Sequence, residues 1–177
     1  MSDPGTTSIR AARPEDIELL YDTCRASYSE NFAGHWNPGG LEWYLEKVYS
    51  REGITSDLRN TNIRYFVAFV DHHPTGFMKL KLSSKLDGCP DDGLEIEKIY
   101  FRAAHQGKGL GKMMMTHAIQ TASDQKKKFI WLGVIDTNQP AVAFYKKLGF
   151  KELDKVQLDL PYFKDELRGM WRMIKVL

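Results

Sequence analysis

Hydrophobic and polar positions alternate with two different periods along the chain, and the switches between them divide it into strands and helices. TSIRAA, residues 7–12, reads as a short strand. In RPEDIELLYDTCRASYSENF, Ile17, Leu20, Tyr21 and Cys24 fall on one helical face, with Pro14 near the start and Glu15 and Asp16 in the first turn. NPGG breaks that helix and LEWYLEKVYS predicts a second. IRYFVAFVDHHPTGFMKLKLSS then reads as a hairpin turning at His72 to Gly76. GLEIEKIYF, Gly93 to Phe101, is the next strand; strict alternation puts 95, 97, 99 and 101 on one face and 96, 98 and 100 on the other. A helix follows from about Gly109 to Gln125, with an apolar stripe of Leu110, Met113, Met114, Ala118, Thr121 and Ala122, and His117 beside it. FIWLGVI is a buried strand by its continuous apolar run. NQPAVAFYKKLGF is a short helix: Asn138 is its N-cap, Pro140 lies in its first turn, Gly149 stops it, and Ala141, Phe144, Tyr145 and Leu148 form its apolar face. KELDKVQLDL and RGMWRMIKVL close the chain as two antiparallel strands joined around Pro161. The order predicts one mixed α/β domain over residues 1–177.

The segment with the strongest chemical signal is RAAHQGKGLGKMMM, Arg102 to Met115, where three glycines precede a helix. Backbone N–H groups at such a helix start point at an anion, and the helix dipole favours negative charge there. A triphosphate-binding P-loop requires Gly, four residues, then Gly-Lys-Ser/Thr; here Gln106 stands at the first Gly and Met113 at the hydroxyl position. The dinucleotide fingerprint fails too, because Lys112 occupies its third Gly. What remains is Gln106-x-x-Gly109-x-Gly111 between a strand and a helix, with Lys108 and Lys112 adding positive charge.

Charge and composition narrow the rest. The net charge of +2 supports neither a nucleic-acid stripe nor an acidic tail. Lys126, Lys127 and Lys128 end a helix and are expected in solvent. No apolar run reaches membrane-span length, and MSDPGTTSIR lacks the apolar core of an export signal. Cys24 and Cys89, far apart, are expected as reduced thiols in the cytoplasm. His72 and His73 are neighbours on a turn with no further ligand at metal spacing, so no metal is expected. The C-terminal MWRMIKVL is apolar enough to pair with a second copy in a homodimer and equally fits an ordinary sheet strand.

LEIEKIYF, then Gln-x-x-Gly-x-Gly opening a helix, then a strand, then NQPAVAFYKKLGF resembles the GNAT superfamily of acetyl-CoA-dependent N-acetyltransferases, and in LEIEKIYF, KKFIWLGV and AVAFYKKLGF the bacterial spermidine/spermine N-acetyltransferases of the PaiA type. The resemblance implies a bent, mostly antiparallel seven-stranded sheet, helices on both faces, and a central parallel pair, GLEIEKIYF and FIWLGVI, splayed at its carboxyl ends. Acetyl-CoA would sit in that wedge: Ile99, Tyr100 and Phe101 would pair with the pantetheine arm, and Gln106, Gly107, Lys108, Gly109, Leu110, Gly111 and Lys112 would surround the pyrophosphate. Asn138 would cap its helix, contact the cofactor, or both. Tyr145 holds the family's general-acid position and would also touch the cofactor.

An amine with a pKa near ~10.4 is only about one part in a few thousand neutral at pH 7, so freeing its lone pair costs roughly 4–5 kcal/mol. A base helps, directly or through water. By family position Glu97 is the first choice and Glu95, two residues back, the second; either equally fits a surface carboxylate in an ion pair. Asp87, Asp91, Asp92, Glu95 and Glu97, with no Lys or Arg among them, form either an acidic rim attracting a polycation or a solvated loop. Phe32 and Trp36 of ENFAGHW are expected on the opposite wall of the acceptor site. Neither cysteine has a His partner near these elements, which favours direct transfer in a ternary complex. The acceptor is read as a primary amine of polyamine type, or another amine (an amino acid, an antibiotic, a protein Lys or N-terminus); a non-catalytic acyl-CoA sensor is the reading from a different class.

Overall fold

Seven strands form one sheet in the order β1-β2-β3-β4-β5-β7-β6. The computed structural model describes residues 5–177; residues 1–4 of the expected domain lie outside that range. The strands are β1 (Thr7–Ala11), β2 (Ile63–Val70), β3 (His73–Ser84), β4 (Gly93–Phe101), β5 (Phe129–Ile135), β6 (Lys151–Gln157) and β7 (Gly169–Val176). The helices are α1 (Ile17–Phe32), α2 (Gly40–Val48), α3 (Arg51–Arg59), α4 (Leu110–Asp124) and α5 (Gln139–Lys147). Every neighbouring pair is antiparallel except β4 with β5. Helices α1–α3 cover one face around Leu20, Tyr28, Tyr49, Ile54 and Phe77. Helices α4 and α5 cover the other around Leu80, Ile96, Met114, Ile130 and Leu132. The mixed architecture is the one expected.

Several local expectations are corrected. Helix α1 begins at Ile17, after Pro14, because the Asp16 carboxylate is held by Arg10 at 2.6 and 3.0 Å and accepts the Arg13 N–H at 2.7 Å. Between the second helix and the hairpin stands α3, unread in the sequence; the Ser50 hydroxyl caps it by accepting from the Gly53 N–H. The hairpin turns at Asp71 and His72, both left-handed (φ 49° and 65°), so His73 to Gly76 belong to β3. This two-residue turn matches the twist of its strands. On α4, Met113 is exposed and Met115 buried, the reverse of the expected stripe at that turn. Strand β7 lies between β5 and β6, so both its edges are occupied by its own chain; the sheet ends on β1 and β6. Among the described residues no helix is long and apolar enough to cross a membrane.

Candidate functional site

The parallel pairing of β4 with β5 lasts only three residues, Leu94 to Ile96 against Ile130 to Leu132. On its other edge β4 stays paired with β3 as far as Phe101 opposite Gly76. From Glu97 onward, therefore, one edge of β4 has no strand partner. The strands part where the pairing of β4 with β3 is also irregular. Leu80 pairs with Ile96 and Lys79 with Lys98, leaving Glu97 as the extra residue of a β-bulge. The bulge also reverses the alternation. Ile99 and Phe101 join Leu94 and Ile96 on the α4/α5 side, while Tyr100 packs with the α1–α3 cluster. The expected grouping of 95, 97, 99 and 101 on one face is thus incorrect, because the strand is not regular across Glu97.

The parted strands open a cleft of about 790 Å³. Its walls include β4 from Glu95 to Phe101, β5 from Trp131 to Ile135, Asn138 and Tyr145 of α5, and the rings of Tyr28, Phe32, Tyr44 and Phe163. At one mouth lies the glycine loop. Gly107 and Gly109 have φ of 76° and 79°, and Gly109 is the N-cap residue of α4. A Cβ would meet nothing within 4 Å at either, so glycine is required there by the backbone alone. Gly111 differs: its Cβ would come 3.2 Å from Cζ of Phe144, so its smallness lets α4 approach α5. Among the described residues, the six successive N–H groups of Gly107 to Lys112 have no protein acceptor. Leu110 is buried and anchors the turn, while Lys108 and Lys112 flank it in solvent.

Helix α1 clamps this loop. Asn31 Oδ1 accepts from Gln106 Nε2 at 2.7 Å, and Asn31 Nδ2 donates to the carbonyls of Ser27 and Phe101 at 2.7 and 2.9 Å. Glu30 accepts from Arg102 Nε and from the Ala103 N–H, at 2.6 and 2.7 Å. The Glu30 contacts fix where β4 ends. Neither residue stood out in the sequence; Asn in the last turn of a helix carries no motif.

Tyr145 owes its position to the end of α5. The N–H of Phe150 donates to the Tyr145 carbonyl, the N–H of Gly149 to that of Lys146, and Gly149 is left-handed at φ 88°. This is a Schellman ending. It folds the Phe150 ring back onto Tyr145, 5.9 Å between centroids, with Phe144 edge-on at 5.3 Å. Burial holds the Tyr145 hydroxyl far above its ordinary pKa, so it stays protonated and is a hydrogen-bond donor. Asn138 caps the other end of α5, accepting from the Ala141 N–H at 3.3 Å.

Both candidate carboxylates line the cleft, and both are paired. Glu97 Oε2 is 3.1 Å from Lys79 Nζ, and its Oε1 is 3.5 Å from Lys81 Nζ. Burial pushes the Glu97 carboxyl up, but Lys98, Lys79 and Lys81 together hold it below the usual carboxylate range. Glu95 accepts from the Ser84 hydroxyl at 2.7 Å and lies 3.5 Å from Lys81 Nζ. The rest of the acidic rim is also engaged: Asp87 with Arg172, Asp91 with Lys128, and Asp92 with the Ser83 hydroxyl. Cations from β3, β7 and the α4–β5 turn thus contact four of these five carboxylates, but Lys79 is shared with Asp57 and Arg172 with Asp154, so the rim is paired without being neutralised. Phe32 lines the cleft, as expected; Trp36 does not. Trp36 is buried behind the wall, edge-on to Phe163 and pairing with it through a backbone bridge. Cys24 is fully buried, with its thiol pushed up by desolvation, and Cys89 lies outside the cleft. Among the described residues no three His, Cys, Asp or Glu side chains form a metal-binding group.

Comparison with known proteins gives one consistent result. The family model described as "Acetyltransferase (GNAT) family" matches residues 20–150. Spermidine N(1)-acetyltransferase of Thermoplasma acidophilum is 28% identical over 153 residues, 82% of this chain and 89% of that protein. Streptothricin acetyltransferase of Streptomyces lavendulae is 39% identical over 160 residues, 82% of each chain. Among solved structures, a PaiA N-acetyltransferase from Thermoplasma acidophilum in complex with coenzyme A superposes with a TM-score of 0.77 at 24% identity, covering 97% of this chain and 99% of that one.

Proposed function

The chain belongs to the acetyltransferase (GNAT) family, and we propose that it acetylates a primary amine of a small molecule by direct transfer from acetyl-CoA in a ternary complex. The observation that carries this is the run of six unaccepted N–H groups at the start of α4, placed at the mouth of the β4/β5 cleft. An anion with several oxygens fits such a cradle, and the CoA pyrophosphate is one. Gln106 to Lys112 would hold it, and the unpaired edge of β4 at Ile99 to Phe101 would take the pantetheine amides as an added strand. Bound there, acetyl-CoA would supply the acetyl thioester; the acceptor, entering as its ammonium, loses two protons as its N–C bond forms and the C–S bond breaks, one ending on the CoA thiol and one released to water.

The chain's own groups have separable tasks. Tyr145, protonated and at the cleft wall, donates a hydrogen bond to the departing sulfur. Glu97 is held ionised and binds a proton weakly, so it acts best by accepting from the incoming ammonium and orienting a water that carries the proton away. Glu95, bonded to Ser84 and Lys81, holds the next position along the strand. No cysteine faces the cleft, which supports direct transfer over an acyl-enzyme. The two free thiols fit a reducing, cytoplasmic setting.

For the acceptor we favour a polyamine. The spermidine-acetylating relative supports this, as does the half-buried ring of Phe32 on the cleft wall, which suits methylenes and ammonium groups. A second reading, an antibiotic amine, draws on the relative that acetylates streptothricin. A thiol-release screen over spermidine, spermine, streptothricin, amino acids and peptides, with calorimetry of acetyl-CoA binding, separates them. Turnover on spermidine or spermine supports the first reading, and turnover on streptothricin alone the second. Acetyl-CoA binding with no turnover on any amine points to a sensor. Failure to bind acetyl-CoA overturns the proposal.

A further inference from the structure

Behind the cleft wall lies a buried lysine that the chemistry above does not use. Lys79 of β3 is only 8% exposed, yet its Nζ lies 2.7 Å from Asp57 Oδ2 of α3 and 3.1 Å from Glu97 Oε2. Asp57 is itself fixed by the Tyr65 hydroxyl, which donates to the same Oδ2 at 2.6 Å. Resting on the reading of Glu97 given above, we infer that Lys79 is a positioning residue: braced by Asp57, its ammonium holds the Glu97 carboxylate at the bulge beside the acceptor amine.

Three observations carry this. The bulge frees Glu97 from the regular β4 alternation, so its direction is set by its contacts. Lys81, the other cation on β3, is more exposed and sits 3.5 Å from both Glu95 and Glu97, a looser contact, while the buried Glu97 Oε2 makes no hydrogen bond and has the Lys79 ammonium, 3.1 Å away, as its ion-pair partner. A buried ion pair is often no more stabilising than apolar residues of equal volume, so stability alone does not account for a lysine here. The groups facing Glu97 are Lys98 and Tyr100 of β4, Lys79 and Lys81 of β3, Tyr44 of α2, and, through Lys79, Asp57 of α3 with Tyr65 of β2. Burial disfavours the Lys79 ammonium, but Glu97 and Asp57 outweigh that and keep it charged.

The test is the pH profile of kcat/KM for acetylation of the best amine from the screen. The acceptor's own ammonium gives log kcat/KM a slope of about one through neutral pH, and protonation of Glu97 steepens it at the acid end. Lys79→Met is expected to move that steepening up by about one pH unit or more while leaving acetyl-CoA affinity intact, because a cation favouring the charged carboxylate is gone. Lys79→Arg should restore the wild-type position. Lys79→Met combined with Asp57→Asn leaves no orphaned charge on α3 and should show the same upward shift if the single variant does not fold. In Glu97→Gln the steepening should vanish. Its persistence there overturns the reading of Glu97 and the role of Lys79 with it. An unmoved steepening in a folded Lys79 variant, with Glu97→Gln behaving as expected, overturns the role of Lys79 alone.

Discussion

Replacing Tyr145 by Phe removes one hydroxyl and nothing else. The ring, 8% exposed, is held by Phe150 folded back through Gly149 and by Phe144, and neither contact involves oxygen. The fold should therefore be indifferent, with stability changed by no more than about 0.5 kcal/mol. Catalysis should not be. Burial keeps the hydroxyl protonated, so across the working pH range it donates and never carries charge. A hydrogen bond to a group developing charge contributes about 1.5–3 kcal/mol. At 1.36 kcal/mol per decade that is a loss of roughly 10- to 150-fold in the transfer step. The same argument gives acetyl-CoA affinity no reason to change, because the bond strengthens only as the C–S bond breaks. Single-turnover thiol release measures the step without interference from product release, and calorimetry gives the affinity. Transfer within two-fold of wild type would refute the hydroxyl's role. A parallel loss of affinity would show instead that Tyr145 merely shapes the cleft.

Gly109→Ala should cost about 1–2 kcal/mol from left-handed backbone alone, since its Cβ enters open space, and Gly109→Asp should further abolish acetyl-CoA binding by placing negative charge beside the six N–H groups; wild-type affinity by calorimetry in the Asp variant would remove the pyrophosphate assignment. Cys24→Ala with Cys89→Ala should retain kcat within about two-fold, the buried Cys24 affecting only the melting temperature; loss of turnover in a folded double variant would restore an acyl-enzyme route. Gly149→Ala strains the Schellman ending at φ 88°, and should lower stability by about 1–2 kcal/mol and kcat as well, since Phe150 no longer seats Tyr145; unchanged kcat would separate the helix ending from catalysis.

The loop-and-α5 half of the candidate site, proposed for the donor, was legible in the sequence because its parts are local. Gln106 to Lys112 form one loop, and the N–H groups of that loop are what matter. Asn138, Tyr145, Gly149 and Phe150 lie within one helix and its two ends, so cap and Schellman rules apply directly. The half proposed for the acceptor was not legible, because its parts meet only in the fold. Arg172 contacts Asp87 across eighty-five residues; the Asn31 clamp on Gln106, across seventy-five, was hidden in the loop half for the same reason. Trp36 and Phe32 share a segment, but a short 3-10 turn at Ala33–His35 separates them, leaving one on the wall and the other behind it. Helix α3 escaped notice because REGITSDLR has a single buried side chain, Ile54, and hence almost no apolar stripe.

The bulge at Glu97 ties these halves together. A regular strand would have kept Ile99 and Phe101 on the Glu95 face, where Lys81, Lys79 and the α1–α3 helices lie. One extra residue sends Ile99 and Phe101 to the α4/α5 core and leaves Lys98 and Tyr100 facing Tyr44. Where the register shifts, β4 also parts from β5, so the cleft opens beside the residue whose side chain the bulge redirects. Sequence periodicity counts residues and cannot register an insertion with no gap beside it, so alternation placed Glu97 in the wrong surroundings. The same displacement answers the charge question. The string from Asp87 to Glu97 is unpaired only when read alone. Folding brings Lys79 and Lys81 from β3, Lys128 from the turn before β5 and Arg172 from β7 against it. Each of these cations except Lys128 is shared between two carboxylates, so the pairing fixes the geometry of the rim without cancelling its charge.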